Sequence, residues 1–246
     1  MKALILNSGL GSRMGVLTKE HPKCMTDLSD KETVLSRQLA LLKGAGITDV
    51  VITTGYYNEV LMEYCNSLQT GLNFTFVKNP IYSETNYIYS IYCAKHVLSG
   101  EDILLLHGDL VFEESVLAAA LAYKDSCMTV SSTLPLPEKD FKAVICNGQI
   151  AKVGIEFFTD ALAAQPLYKL NAKDWQVWLD KIVEFCETDQ RKCYAENAFN
   201  LVSDVCRIMP LDVKDELCAE VDTPQDLAVV SKRLAELEGE VLTPAV

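Results

Sequence analysis

A chain of 246 residues, 49% of them apolar, is long enough to bury a substantial core without disulfides, and none of its apolar runs reaches transmembrane length. A formal net charge of −12 argues against nucleic acid or an anionic membrane as partner, since both reward basic surfaces. It leaves open a nucleotide substrate, which needs only a few local cations and commonly a magnesium ion. Nine scattered cysteines with no C-x-x-C pair, beside three histidines, speak against structural zinc and for free thiols in a reducing cytoplasm. Met1-Lys2 is followed by only four apolar residues before Asn7, which does not make a secretory leader, so a cytoplasmic location is expected.

Strand and helix signals alternate through the first half. The apolar run Leu4-Ile5-Leu6 reads as a buried strand. Residues 33–44 place Val34, Leu35, Leu39 and Leu42 at helical spacing and close on a glycine. A β-branched run over 50–54 predicts a second strand, 58–68 a helix and 74–77 a third strand. Residues 83–98 follow as a helix and 103–107 as a fourth strand. This βαβαβαβ rhythm implies a Rossmann-like α/β fold, a mostly parallel mixed sheet with helices on both faces. Ligands of such sheets sit beyond the carboxyl ends of the strands. The glycine loop after Leu6, Gly55-Tyr56 and Gly108-Asp109 should therefore share one edge.

The second half is less regular. Strands are expected over 128–134, over 144–153 with a turn at Asn147-Gly148, over 167–170, and last at Val221-Asp222. Residues 173–186 form an amphipathic helix pattern with Trp175 and Trp178 on its apolar stripe, and 196–206 a further helix. Thr223 suits an N-cap, with Pro224 first in the helix and Asp226 at its third position, the helix running to about Glu238. With no repeat or linker evident, the expectation is one domain over 1–246: a nucleotide-binding half to residue 125, then an acceptor-binding half ending in a metal carboxylate.

The chemistry begins at Asn7-Ser8-Gly9-Leu10-Gly11-Ser12-Arg13. Two glycines among small polar residues let backbone N–H groups turn toward an anion, and Arg13 and Lys23 bring mobile positive charge. Met14 stands where a G-x-G-x-x-G dinucleotide loop needs its third glycine. Gly9-Leu10-Gly11-Ser12-Arg13 followed by Pro22-Lys23 instead resembles the nucleoside-triphosphate transferase superfamily, which includes sugar-1-phosphate nucleotidyltransferases and cytidylyltransferases. That resemblance implies that Ser8, Gly9, Leu10, Gly11, Ser12 and Arg13 hold the β- and γ-phosphates, with Gly55 and Gly108 at the same nucleotide site. It implies that Lys23 stabilises charge at the α-phosphorus, and that Asp109 and Asp222 bind Mg²⁺. Asn7 departs from the family's usual alanine.

The segment Asn86-Tyr87-Ile88-Tyr89-Ser90-Ile91-Tyr92 resembles that of bacterial phosphocholine cytidylyltransferases, and the region around Tyr194–Asn200 that of cytidylyltransferases acting on phosphonates such as 2-aminoethylphosphonate. The resemblance implies CTP as co-substrate and a small phosphate or phosphonate bearing an amine as acceptor. Candidate acceptor contacts are Asn86, Tyr89, Lys169 for the anionic group and Glu196 for the ammonium. Trp175 and Trp178 serve either as a cation–π wall for a quaternary amine or as ordinary core. A sugar-1-phosphate nucleotidyltransferase and a nucleotide-binding protein without catalysis are the competing readings. Oligomeric state is not legible in the sequence.

Overall fold

A computed structural model describes residues 1–9, 11–237 and 239. The first half follows the alternation read from the sequence. Strands β1 (Lys2–Asn7), β2 (Asp49–Thr54), β3 (Asn73–Lys78) and β4 (Ile103–His107) are separated by helices α1 (Val34–Gly44), α2 (Asn58–Ser67) and α3 (Tyr87–Leu98). Then come β5 (Leu110–Phe112), α4 (Glu114–Ala122), β6 (Cys127–Ser131), the hairpin β7 (Lys142–Cys146) and β8 (Gln149–Gly154), and the long β9 (Ala161–Leu170). The chain ends with α5 (Ala172–Glu187), α6 (Ala195–Phe199), β10 (Met209–Asp212), β11 (Cys218–Glu220) and α7 (Pro224–Leu237).

Among the described residues nine strands form one sheet, with the path β10-β6-β9-β4-β1-β2-β3 and the β7–β8 hairpin attached to β9. The β4-β1-β2-β3 block is parallel, and β9 runs antiparallel to both β4 and β6. All five residues of β4 are buried, as a strand covered on both faces requires. Successive side chains leave a strand on opposite faces, so one run of apolar residues feeds two cores. Leu4, Val51 and Leu105 pack with α3, α5 and α6 on one face. Ala3, Ile5, Ile52, Leu104 and Leu106 pack with α1, α2 and α4 on the other.

The tryptophans belong to the first core. Trp175 and Trp178 are fully buried, and their indole N–H groups donate to the carbonyls of Leu98 and Ala195, each at 2.9 Å. A cation–π wall there is ruled out. Trp178→Ala is expected to lower unfolding free energy by about 3–5 kcal/mol, read by urea denaturation.

Several boundaries differ from the sequence expectations, each for a local reason. Helix α3 starts at Tyr87 rather than 83, because Asn86 caps it: its Oδ1 accepts from the Tyr87 N–H at 2.7 Å. The preceding turn is held by Asn79, whose Nδ2 donates to Thr85 Oγ1 and Ser90 Oγ. The expected helix over 196–206 shrinks to α6, since Asn200 instead pairs both ends of its carboxamide with the backbone of Val153 on β8. The four-residue strand at 167–170 is the end of the ten-residue β9, whose alanines hid its length. Asn147 and Gly148 have φ of 52° and 78°, the left-handed pair that a two-residue hairpin turn uses.

The last strand lies three residues before its expected place. Strand β11 pairs antiparallel with β5, and the Val221 N–H then donates to the Asp109 carbonyl at 2.9 Å. Thr223 and Asp226 cap α7 reciprocally, and Asp226 Oδ2 also accepts from the Asp222 N–H at 3.2 Å. These contacts fix Asp222 beside Asp109. Leu10 and Glu238, named in the sequence expectations, lie outside the described residues.

Candidate active site

The ends of β1 and β4 lie side by side, with Leu6 in register with His107. Beyond them opens a cavity of about 510 Å³, lined at one end by Ser8, Gly9, Gly11, Arg13 and Lys23. Gly11 adopts φ 64°, the left-handed conformation that glycine takes without strain. Its carbonyl accepts from Thr18 Oγ1 at 3.0 Å and from the Met14 N–H at 3.0 Å, folding the loop back into the short 3-10 segment Ser12–Thr18. Gly55 sits under the loop: a Cβ there would collide with the Ser8 carbonyl and crowd the Tyr82 ring. It permits the close approach of β2's end rather than lining the cavity.

Four of the expected residues converge. The Lys23 ammonium lies between the carboxylates of Asp109 and Asp222, and Arg13 Nη1 reaches Asp222 Oδ2 at 2.8 Å. Burial opposes the charge on Lys23, but the two carboxylates outweigh it and hold its pKa above the ordinary lysine value. Burial likewise works against ionised Asp109, and Lys23 and His107 overcome it, holding its pKa below the usual carboxylate range. Asp109 Oδ1 is buried and has no hydrogen-bond partner among the described residues.

Sequence reasoning missed two neighbours of this cluster. Glu220 stands two residues before Asp222, and its Oε1 lies 2.9 Å from His107 Nδ1. Burial and the charge of Asp109 raise the pKa of Glu220. His107 is also buried, which alone would lower its pKa; the bond to Glu220 and the charges of Glu220, Asp109 and Glu196 raise it to about 9. One donor atom each from His107, Asp109 and Glu220 lies within 4.8 Å of the others. An oxygen-rich set with one unpartnered buried carboxylate oxygen fits a hard divalent cation. The signal available in the sequence was position: His107 ends a buried strand one glycine before Asp109.

Next to this cluster, sharing His107 with it, the cavity is walled by four rings that close a circuit. Tyr87 and His107 have centroids 5.0 Å apart, Tyr87 and Tyr194 5.8 Å, Phe141 and Tyr194 5.0 Å, and His107 and Phe141 6.4 Å. Asn86 and Asp140 line the same space. These residues come from four separated segments, so no local pattern announces them.

Three expected acceptor contacts are not brought there. Lys169 pairs with Leu104 near the start of β4, at the opposite end of the sheet. Its ammonium donates to the carbonyls of Tyr123, Lys124 and Asp125 and to Asn171 Oδ1. Glu196 is buried behind the ring wall, accepting from the hydroxyls of Tyr87 and, at 2.9 Å, Tyr168. Tyr89 stacks on Tyr92 at 5.3 Å with Arg191 over its ring. Lys169 and Glu196 are therefore corrected from ligand contacts to structural groups: both have their polar atoms consumed by protein.

The family model of the MobA-like NTP transferase domain matches residues 3–133. The CTP:phosphoglutamine cytidylyltransferase of Campylobacter jejuni is 27% identical over 215 residues, covering 80% of this chain and 82% of that protein. The CMP-5'-(3-aminopropyl)phosphonate synthase of Streptomyces rubellomurinus is 34% identical over 136 residues, 55% of this chain but 21% of that protein. The choline-phosphate cytidylyltransferase of Streptococcus pneumoniae is 33% identical over 104 residues, 42% of this chain and 43% of that protein. In fold, the structure of the CTP:phosphocholine cytidylyltransferase of Streptococcus pneumoniae superposes with TM-score 0.75 at 19% identity, over 95% of this chain and 98% of that one. A putative glucose-1-phosphate thymidylyltransferase of Bacillus anthracis superposes with TM-score 0.78 at 17% identity, over 100% and 98%.

Proposed function

The chain belongs to the MobA-like NTP transferase domain family and is a nucleotidyltransferase; from that premise we propose that it is a Mg²⁺-dependent cytidylyltransferase. It would couple CTP to a small phosphate or phosphonate bearing an amine, with 2-aminoethylphosphonate first among candidates and phosphocholine second. The observation that carries this reading is the convergence of Arg13, Lys23, Asp109 and Asp222 at the mouth of a cavity that runs on to an aromatic wall. The relatives named for CTP and an amine-bearing phosphate or phosphonate support the choice of substrates. On this reading the described residues act as one domain. Its nucleotide half and acceptor half share the sheet, because β9 lies between β4 and β6.

In this mechanism an anionic oxygen of the acceptor attacks the α-phosphorus in line, forming a new P–O bond while the bond to the β-phosphate oxygen breaks. Pyrophosphate leaves with those electrons. The nucleophile is already ionised near neutral pH, so no general base is needed. The backbone of Ser8, Gly9 and Gly11 and the Arg13 guanidinium hold the β- and γ-phosphates, and Lys23 turns from its carboxylates toward the α-phosphate oxygens. Asp109, grouped with His107 and Glu220, would hold Mg²⁺ together with Asp222, which shares the Lys23 ammonium with it; the ion would supply Lewis-acid stabilisation of the phosphate oxygens. Tyr87, Phe141 and Tyr194 offer π-faces to the acceptor's ammonium, and Glu220, bonded to His107 of the same ring circuit, adds negative charge beside them.

A pyrophosphate-release assay tests the reading by crossing CTP, UTP and dTTP with 2-aminoethylphosphonate, phosphocholine, phosphoglutamine and glucose 1-phosphate. The expected result is release with CTP and an amine-bearing acceptor. Preference for glucose 1-phosphate would favour a sugar nucleotidyltransferase. Tight CTP binding without turnover on any acceptor would favour a non-catalytic nucleotide-binding protein.

A further inference from the structure

Asn7 closes β1 in the cavity floor, and its side chain lies directly over Gly108. A Cβ at Gly108 would collide with Asn7 Oδ1 and approach the Leu6 carbonyl at 2.8 Å. The glycine at position 108 is thus what makes room for the carboxamide. The Asn7 backbone N–H donates to Thr53 Oγ1 at 3.2 Å, which fixes the residue on the sheet. Yet its Nδ2 is buried with no hydrogen-bond partner among the described residues. The neighbouring Ser8 Oγ is in the same condition, with Ser8 only 8% exposed.

A buried polar atom left unpaired is costly, so a chain that places a carboxamide here gains nothing from it in the free state. A ligand hydroxyl entering the cavity would complete it. Which end of the carboxamide faces the cavity is an assignment, because its oxygen and nitrogen have nearly the same shape. A hydroxyl satisfies either end, being both donor and acceptor, and it can also pair with Ser8 Oγ. A phosphate oxygen only accepts.

The position selects among the hydroxyls available. With the β- and γ-phosphates on Gly9–Arg13 and the α-phosphorus at Lys23, the next covalent unit of the nucleotide is its ribose. The sheet order β4-β1-β2-β3 sets Asn7, at the end of β1, between Asp109 beyond β4 and Asn79 beyond β3, and all three line the one cavity. We propose that Asn7 is a nucleotide-positioning residue that hydrogen-bonds a ribose hydroxyl, so that this chain discriminates ribonucleotides from their deoxy analogues. The inference rests on the nucleotidyltransferase reading but is independent of which base is chosen.

The test is calorimetric binding of CTP and 2′,3′-dideoxy-CTP, with Mg²⁺, to the full-length wild type and to Asn7→Ala. The wild type is expected to bind CTP about tenfold more tightly than the dideoxy analogue, and Asn7→Ala to bind both about equally, having lost affinity only for CTP. A merely structural role would weaken both ligands together and keep the ratio. Asn7→Ser, which restores a hydroxyl partner in the same pocket, is expected to recover part of the discrimination and serves if the alanine variant is unstable. An unchanged ratio in both variants overturns the proposal. Failure of the wild type to bind CTP while it binds another ribonucleoside triphosphate overturns the cytidine assignment alone. The same ratio taken with that nucleotide and its dideoxy form then decides the role of Asn7, and no binding of any of them overturns both.

Discussion

Lys23→Met is expected to reduce pyrophosphate release by about 10²–10³-fold while leaving the far-UV circular dichroism unchanged. Methionine keeps the length and apolar stem of the side chain, so the short segment Lys23–Met25 retains its packing and only the charge is lost. The reaction concentrates negative charge at the α-phosphorus, and Lys23 is the most buried of the cations at this end of the cavity. Arg13 is no substitute, because its side chain is 64% exposed and works in a wetter, more screened setting. A second readout isolates the cause. In the free chain Lys23 occupies the space between Asp109 and Asp222, so removing it should raise affinity for Mn²⁺ alone, measured by electron paramagnetic resonance without nucleotide. Turnover within threefold of wild type, or Mn²⁺ affinity that falls, would sink the assignment of Lys23.

Asp109→Asn should cost about a thousandfold in turnover, the equivalent of several kcal/mol of metal-borne charge stabilisation. The amide preserves shape and removes one charge. Lys23 keeps Asp222, and the Val221 N–H still finds the residue-109 carbonyl, so the fold is expected to survive. The Mg²⁺ concentration for half-maximal residual activity should rise as well. Asp222→Asn should act in the same direction. The double variant should lose scarcely more than the worse single one, because on the proposed mechanism the two carboxylates would hold one cation and so act as a unit. Additive losses in a full Mg²⁺ titration of all three variants would mean that the two act separately.

Much of the nucleotide end was legible because it is written in contiguous motifs at strand ends. The glycine loop follows β1, His107-Gly108-Asp109 follows β4, and Asp222-Thr223-Pro224 announces a helix cap. The structure draws Arg13, Lys23, Asp109 and Asp222 from these motifs into one cluster. The acceptor end was not legible in that way. Lys169 and Glu196 carry charge among aromatic residues in the sequence, but strand register carries Lys169 to the far end of β9, and two tyrosine hydroxyls claim Glu196. The ring circuit needs α3, the end of β4, the residue before β7 and the residue before α6 to meet. Such convergence is a property of the tertiary fold and leaves no spacing to read. Asn7 stood out as a departure from pattern; its meaning needed the neighbouring strand, where Gly108 makes space for it.

The place of β9 also governs how the chain can be born. One edge of β4 pairs with β1, but the other waits for residues 161–170, more than fifty positions further along. During synthesis the first half of the chain therefore emerges with β4, buried along its whole length in the finished fold, only half-paired, a bare ladder that invites association with other chains. Closure of that ladder by so distant a segment makes it a late, slow event of assembly. A chain halted near residue 125 would leave that edge of β4 bare, and the sheet is complete only once β9 has been made.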